Sequence, residues 1–155
     1  MGASKTSAGL LLYRGVGAGR EVLLAHFGGP FFKGKDKGAW AVPKGEAEEG
    51  EDLLDTARRE FAEELGAAAP EGPFHALGSV KQKSGKVVHA WAVRGDFDPS
   101  VLKSNTFELE WPRGSGRMQH FPEVDRVEWF GLEAARSKII EAQTVFLDRV
   151  AQLAR

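Results

Sequence analysis

The chain has 155 residues, 42% hydrophobic and 28% charged, which suits one soluble globular domain over residues 1–155 with its own core. Its net charge of −1 supplies no basic field for nucleic acid, so no stable nucleic-acid partner is expected. It has no cysteine, which excludes disulfides, thiolate zinc sites and thiol nucleophiles and suits a reducing compartment. No apolar run is long enough to span a bilayer or to form a signal-peptide core, so a cytoplasmic location without a membrane partner is expected. Met1-Gly2-Ala3-Ser4-Lys5-Thr6 fits the loose pattern for N-myristoylation, a pattern too permissive to carry weight.

In chain order, 8–14 and 21–26 are short aliphatic runs separated by the glycine-rich 15–19, which predicts two strands and a turn. The segment 28–38 is rich in glycine and carries Lys33, Lys35 and Lys37, and it reads as irregular. Trp40 to Val42 reads as a strand stopped by Pro43. Leu53, Leu54, Ala57, Phe61 and Leu65 then recur at helical period, with Gly66 as the stop and Glu51 or Asp52 near the start.

Segments 74–81 and 86–93 flank Gln82-Lys83-Ser84-Gly85 and predict a hairpin. Residues 95–122 are polar and interrupted by Pro99, Pro112, Gly114 and Gly116, which predicts a long functional loop. Arg126 to Phe130 reads as a last strand. Residues 132–140 and 141–153 read as helices, the second burying Ala142, Phe146, Val150 and Leu153. The pattern predicts an α+β fold, a mixed sheet with helices packed on its faces.

The helix carries Glu60, Glu63 and Glu64 at i, i+3 and i+4, so all three are surface neighbours. An acidic surface face is the ordinary explanation of such a cluster. Angular position argues otherwise, since at about 100° per residue Glu64 falls in line with Leu53 and Ala57. A carboxylate aimed at the core is costly unless paired or bound to a cation. Clustered carboxylates are also the hard oxygen ligands that Mg²⁺ prefers. Arg59 lies eight positions after Glu51, within reach across the start of the helix.

The four histidines, His26, His75, His89 and His120, show no metal-ligand spacing. His89 is expected to be a hydrogen-bonded core residue.

Gly45, Glu51, Arg59, Glu60, Phe61, Glu63, Glu64 and Gly66 stand in a register that resembles the signature box of the Nudix hydrolases. That box is Gly, five residues, Glu, seven residues, then Arg-Glu-aliphatic-any-Glu-Glu-any-Gly-aliphatic. Phe61 is bulkier, and Ala67 smaller, than the aliphatic residues usual there; neither is a metal ligand in the family.

The resemblance implies an α/β/α sandwich with a mixed sheet between helices. It also implies hydrolysis of a phosphoanhydride in a nucleoside diphosphate linked to another group, with Mg²⁺ or Mn²⁺ as cofactor. By the same resemblance Glu60, Glu63, Glu64 and the Gly45 carbonyl would hold metal, and Glu51 with Arg59 would brace the box. Trp40-Ala-Val-Pro-Lys-Gly45 is similar to the lead-in of the branch that cleaves diadenosine and diphosphoinositol polyphosphates.

Glu123, six residues before Trp129, resembles a carboxylate that binds metal or acts as base in dinucleoside tetraphosphate hydrolases. Glu108 or Glu110 are alternatives for that place. The proton of the attacking water would pass to Glu64 or Glu123. Lys44, Lys33, Lys35 and Lys37 are candidates to hold phosphates of a small nucleotide substrate, with Lys81, Lys83 and Lys86 as weaker ones.

The tetraphosphate hydrolases stack a base on Tyr, and the only tyrosine here is Tyr13. Stacking would fall to Phe31, Phe32, Trp40, Trp91 or Trp111, although packing is the commoner role of each. Two other readings are a nucleotide-sensing module without catalysis, which the intact box disfavours, and an RNA 5′-pyrophosphate or cap hydrolase, which the near-neutral charge disfavours.

Overall fold

The computed structural model describes residues 6–153; the N-myristoylation pattern lies almost wholly outside them. The first strand, β1 (Thr6–Arg14), is apolar without alternation and is buried along nearly its whole length. That pattern belongs to a strand covered on both faces. Ala8, Leu10 and Leu12 enter one apolar cluster and Leu11 and Tyr13 enter another on the opposite face.

Strands β2 (Glu21–Phe27), β3 (Trp40–Ala41), β4 (Lys44–Glu46), β5 (Phe74–Lys81), β6 (Val87–Arg94) and β9 (Val124–Gly131) complete a seven-stranded sheet. Its main path runs β3-β2-β1-β6-β5, with β4 paired to β1 and β9 to β2. β1 and β6 are parallel, from Thr6 opposite Val87 to Tyr13 opposite Arg94. The other pairings are antiparallel, so the sheet is mixed as expected.

Helix α1 (Leu53–Leu65) covers one face through Ala57, Phe61 and Leu65. Helices α2 (Leu132–Lys138) and α3 (Thr144–Ala151) cover the other through Ala135, Phe146, Leu147 and Val150. The helix expected over 141–153 opens as a 3-10 turn, Glu141–Gln143, before α3 begins. In α3, Phe146 and Val150 are fully buried, while Ala142 and Leu153 are only half-buried and Leu147 joins the stripe.

The expectation of one long loop over 95–122 is corrected. Thr106–Glu110 and Met118–Pro122 form a separate two-stranded antiparallel sheet, β7 and β8, from Thr106 opposite Pro122 to Glu110 opposite Met118. Phe107 and Leu109 are half-buried and alternate with exposed Thr106, Glu108 and Glu110, a period-2 signal the polar composition concealed. No helix among the described residues is long and apolar enough to cross a membrane.

Candidate active site

Local signals bound α1. The Asp52 carboxylate accepts from the Asp55 N–H at 3.2 Å at the helix start, and Gly66 ends the helix at φ 81°, a left-handed conformation open to glycine. Along α1, Glu64 is buried, Glu60 half-buried and Glu63 exposed, the order that the helical angle predicts. Pro43 fixes the approach of the box, since its carbonyl accepts from Leu10 N–H at 3.2 Å, and Lys44 to Glu46 then pair with Gly9 to Ser7 of β1. The start of the box is thereby laid beside α1.

Glycine at 45 has a steric cause. A Cβ there would meet Glu60 Oε1 at 1.9 Å, so the Glu60 carboxylate lies directly over the Gly45 backbone. Arg59 binds Glu51 with two bonds, Nε to Oε2 at 2.9 Å and Nη2 to Oε1 at 2.9 Å, and donates to the Glu46 carbonyl at 3.2 Å. This pairing pulls the Glu51 carboxyl down to about 2, with a backbone bond from Glu48 adding to the effect.

The same guanidinium reaches Glu60 Oε2 at 2.7 Å and Glu63 Oε2 at 3.0 Å. Those two carboxylates therefore lean towards Arg59, and among the described residues no three acidic or imidazole groups converge closely enough to enclose an ion.

Glu64 is different. Its Oε2 is buried and has no hydrogen-bond partner. Burial pushes its carboxyl up to about 8, helped by the charges of Glu123 and Glu60 and opposed by Lys44.

These groups line one cleft of about 370 Å³, with Lys44, Gly45, Glu46, Glu60, Glu63, Glu64 and Glu123 in its wall. Glu123 enters from the β8–β9 junction, and burial raises its carboxyl above the ordinary range against the pull of Lys44. Burial also lowers the Lys44 ammonium, as does Lys86, while Glu64, Glu46 and Glu60 oppose them. Such a cleft, with five carboxyl side chains and two lysines in its lining, favours a ligand that carries both a cation and an anion.

Of the carboxylates considered for the fourth place, Glu123 lines the cleft. Glu108 sits on the β7–β8 hairpin 3.4 Å from His120 Nε2, and Glu110 there accepts from the Gly116 N–H at 2.8 Å.

Lys33, Lys35 and Lys37 are exposed and do not line the cleft. Lys33 borders a separate hollow instead. Lys86, ranked lower from sequence, does reach the cleft and pairs with Glu46 at 3.3 Å. Lys81 and Lys83 line a third hollow beside Ile140 and Glu141.

Ser7, Phe27 and Asn105 also line the cleft and were not singled out by sequence. Their positions depend on strand pairing and on the chain after α1, which composition does not encode.

His89 is half-buried, and the histidine held inside is His26, whose ring bonds Asp125 at 2.7 Å and the Lys35 carbonyl at 2.6 Å. Trp40 is buried against His26 and Phe130, while Phe32 and Trp91 pack on the two cores. Phe31 and Trp111 pair with each other nearer the surface.

The NUDIX domain family model matches residues 3–150, and the chain belongs to that family. It is a Nudix-type hydrolase, a class that acts on nucleotide derivatives and generally uses divalent metal ions.

The fold is similar to that of a C. elegans Ap4A hydrolase, at 21% identity over 94% of this chain and 95% of that one, with a TM-score of 0.64. It is also similar to the NUDIX domain of Shewanella oneidensis NrtR, solved with ADP ribose, at 18% identity, 97% and 88% coverage and a TM-score of 0.63. A NUDIX hydrolase from Nitrosomonas europaea matches at 17% identity, 96% and 88% coverage and a TM-score of 0.59. At these identities the likeness establishes the fold. No curated protein matches the sequence.

Proposed function

We propose that the protein is a Mg²⁺-dependent pyrophosphohydrolase acting on a nucleoside diphosphate linked to another group, with a dinucleoside polyphosphate or nucleoside triphosphate as substrate. Mn²⁺ is the alternative ion. The observation that carries this reading is the buried, unpartnered Glu64 carboxylate at the base of a cleft walled by Glu60, Glu63, Glu123 and Lys44. A buried carboxylate without a donor is strongly unfavourable, and a divalent cation is the partner that its neighbours suit.

In this reading Glu60, Glu63, Glu64 and the Gly45 carbonyl hold the ion. A divalent ion held there supplies phosphate charge neutralisation and a more acidic water. To hold the ion, Glu60 and Glu63 would give up part of their bonding to Arg59, and Glu51 would keep the guanidinium in place. Glu123, in the lining of the same cleft, accepts the proton of the attacking water. The Lys44 ammonium, drawn out of solvent beside the acids, binds a phosphate oxygen, and Lys86 serves the next phosphate.

The test is a substrate panel with Mg²⁺: diadenosine polyphosphates, nucleoside triphosphates, nucleotide sugars and diphosphoinositols, run beside Glu63→Gln. Turnover of a dinucleoside polyphosphate that is abolished by chelation and depressed in the variant is expected. Unchanged turnover in Glu63→Gln would remove the metal assignment. Tight binding of one compound with turnover of none would replace the enzyme reading by the sensing one.

A further inference from the structure

A further hollow, of about 380 Å³, lies where the turn between β1 and β2 meets the end of α3, lined by Val16, Gly17, Arg20, Ala151 and Leu153. It stands at the other end of β1 from the acidic cleft. Ser7, near the start of β1, lines the cleft, and the strand then runs about 20 Å to Arg14, where the turn begins.

Arg20 is the one charged residue in this lining, and it is only 3% exposed. Both of its hydrogen bonds leave from Nη1, to the Val150 carbonyl at 2.7 Å and the Leu153 carbonyl at 3.0 Å. They satisfy carbonyls at the C-terminal end of α3, where the helix has no donors left of its own. The other edge of the guanidinium is unused. Nε is buried without an acceptor, and among the described residues no carboxylate bonds to Arg20. The Tyr13 ring, with its centroid 5.0 Å from the guanidinium carbon, offers a π-face but no acceptor for Nε.

A guanidinium is always charged, and burying one without an anion is costly. The Nε–Nη2 edge presents two parallel N–H groups, the fork that takes both oxygens of an oxyanion. The rest of the lining is apolar side chain or glycine, with Val16 55% exposed at the rim. One cation balances one negative charge, and the apolar wall suits a small hydrocarbon body. The turn has room to yield to an occupant: Gly17 sits at φ 53° with no atom within 4 Å of where a Cβ would stand. Arg94 fastens the start of the turn by donating to the Gly15 carbonyl at 3.1 Å.

We propose that this hollow binds a small monocarboxylate with a short aliphatic body, its oxygens on Nε and Nη2 of Arg20 and its body against Val16, Ala151 and Leu153. The site is separate from the cleft and does not depend on what the cleft hydrolyses. An occupant joins the turn to the end of α3, so it stabilises the folded chain.

The experiment follows thermal unfolding of the full chain without added metal, at constant ionic strength. The probes are isobutyrate, the neutral isobutyramide and inorganic phosphate. We expect a saturable rise in Tm with isobutyrate, about 3–6 °C at tenfold excess over Kd. The Arg20 Nε–H resonance should move downfield in the same titration. Arg20→Lys keeps a cation at the end of α3 but loses the fork, and Ala151→Glu, at an exposed position, puts a carboxylate beside the hollow. Neither variant should respond. If Arg20→Lys does not fold, Ala151→Glu carries the test.

An equal rise with isobutyramide, or in Ala151→Glu, would place the binding elsewhere and overturn the site. So would a rise in Tm that leaves the Arg20 resonance unmoved, because another cation such as Lys44 would then hold the anion. A larger rise with phosphate than with isobutyrate would overturn the monocarboxylate. No rise with any probe would leave Arg20 as a cap of α3 alone.

Discussion

Two neighbouring residues of the cleft, one acid and one glycine, make separable demands. In the metal-free protein Glu64 is raised from 4.5 to about 8, chiefly by burial and then by Glu123 and Glu60. Between those values the folded state holds a proton that the unfolded chain has lost, so this group makes stability fall as pH rises through the window. Glu64→Gln removes the titration. Without metal, the variant should match wild type below 4.5 and melt above it once pH passes about 8. Calorimetry across that range checks this, and parallel pH profiles for the two proteins would contradict it.

With Mg²⁺ the order should invert, because the ion stabilises only the protein that keeps the carboxylate. At Gly45 the demand is steric: Gly45→Ala puts a methyl 1.9 Å from Glu60 Oε1. The Glu60 carboxylate must move, and a shift of about 1 Å at a catalytic geometry costs roughly 100-fold in kcat. We expect that loss with a folded protein; retention of full activity would show that Glu60 need not lie where it does.

At the scale of elements, the box is a loop and a helix held at a fixed angle by Arg59. The two bonds to Glu51 and the one to the Glu46 carbonyl tie residues 46–51 to α1 while Glu60 and Glu63 wait on the same guanidinium. Arg59→Lys keeps the charge but cannot span these partners with a fork. Metal affinity, read by Mn²⁺ titration, should fall by about 10- to 100-fold, the usual cost of losing a group that orients metal ligands. An unchanged affinity would mean that the loop holds its shape without the fork.

This element was legible in sequence because its signals are local: an acid, Glu51 or Asp52, near the helix start, a helical apolar period, Gly66 as stop, and acids at fixed angles. The β7–β8 hairpin was not, because its strands belong to no large sheet and only Phe107, Leu109 and Phe121 point inward among polar neighbours. The lysines divided for a related reason. Lys86 reaches the cleft because β6 runs parallel to β1 from Thr6 opposite Val87, a pairing across distant sequence. Lys33, Lys35 and Lys37 are clustered in sequence, yet none of them lines the cleft.

Across the whole molecule, the layer opposite the acidic helix also shapes the cleft. Gln143, fully buried beside α3, accepts from Val42 N–H at 2.9 Å through its side-chain oxygen and donates to Gln82 Oε1 at 3.1 Å through its amide nitrogen. Val42 precedes Pro43, whose carbonyl is held by Leu10 N–H, and Lys44 and Gly45 follow into the cleft. One side chain thus links the α2–α3 layer, the β5–β6 turn and the entry to the box. Gln143→Leu is close in size but leaves the Val42 N–H buried without an acceptor, a cost of about 1–3 kcal/mol. For a chain of this length that corresponds to a melting temperature lower by about 2–12 °C. Gln82→Ala leaves the bond to Val42 intact and should cost less. Because the loosened segment carries Lys44, kcat/KM should fall in Gln143→Leu and hold in Gln82→Ala. Equal melting temperatures for Gln143→Leu and wild type would mean that the Val42 N–H finds another acceptor, and the two layers would then be coupled through packing alone.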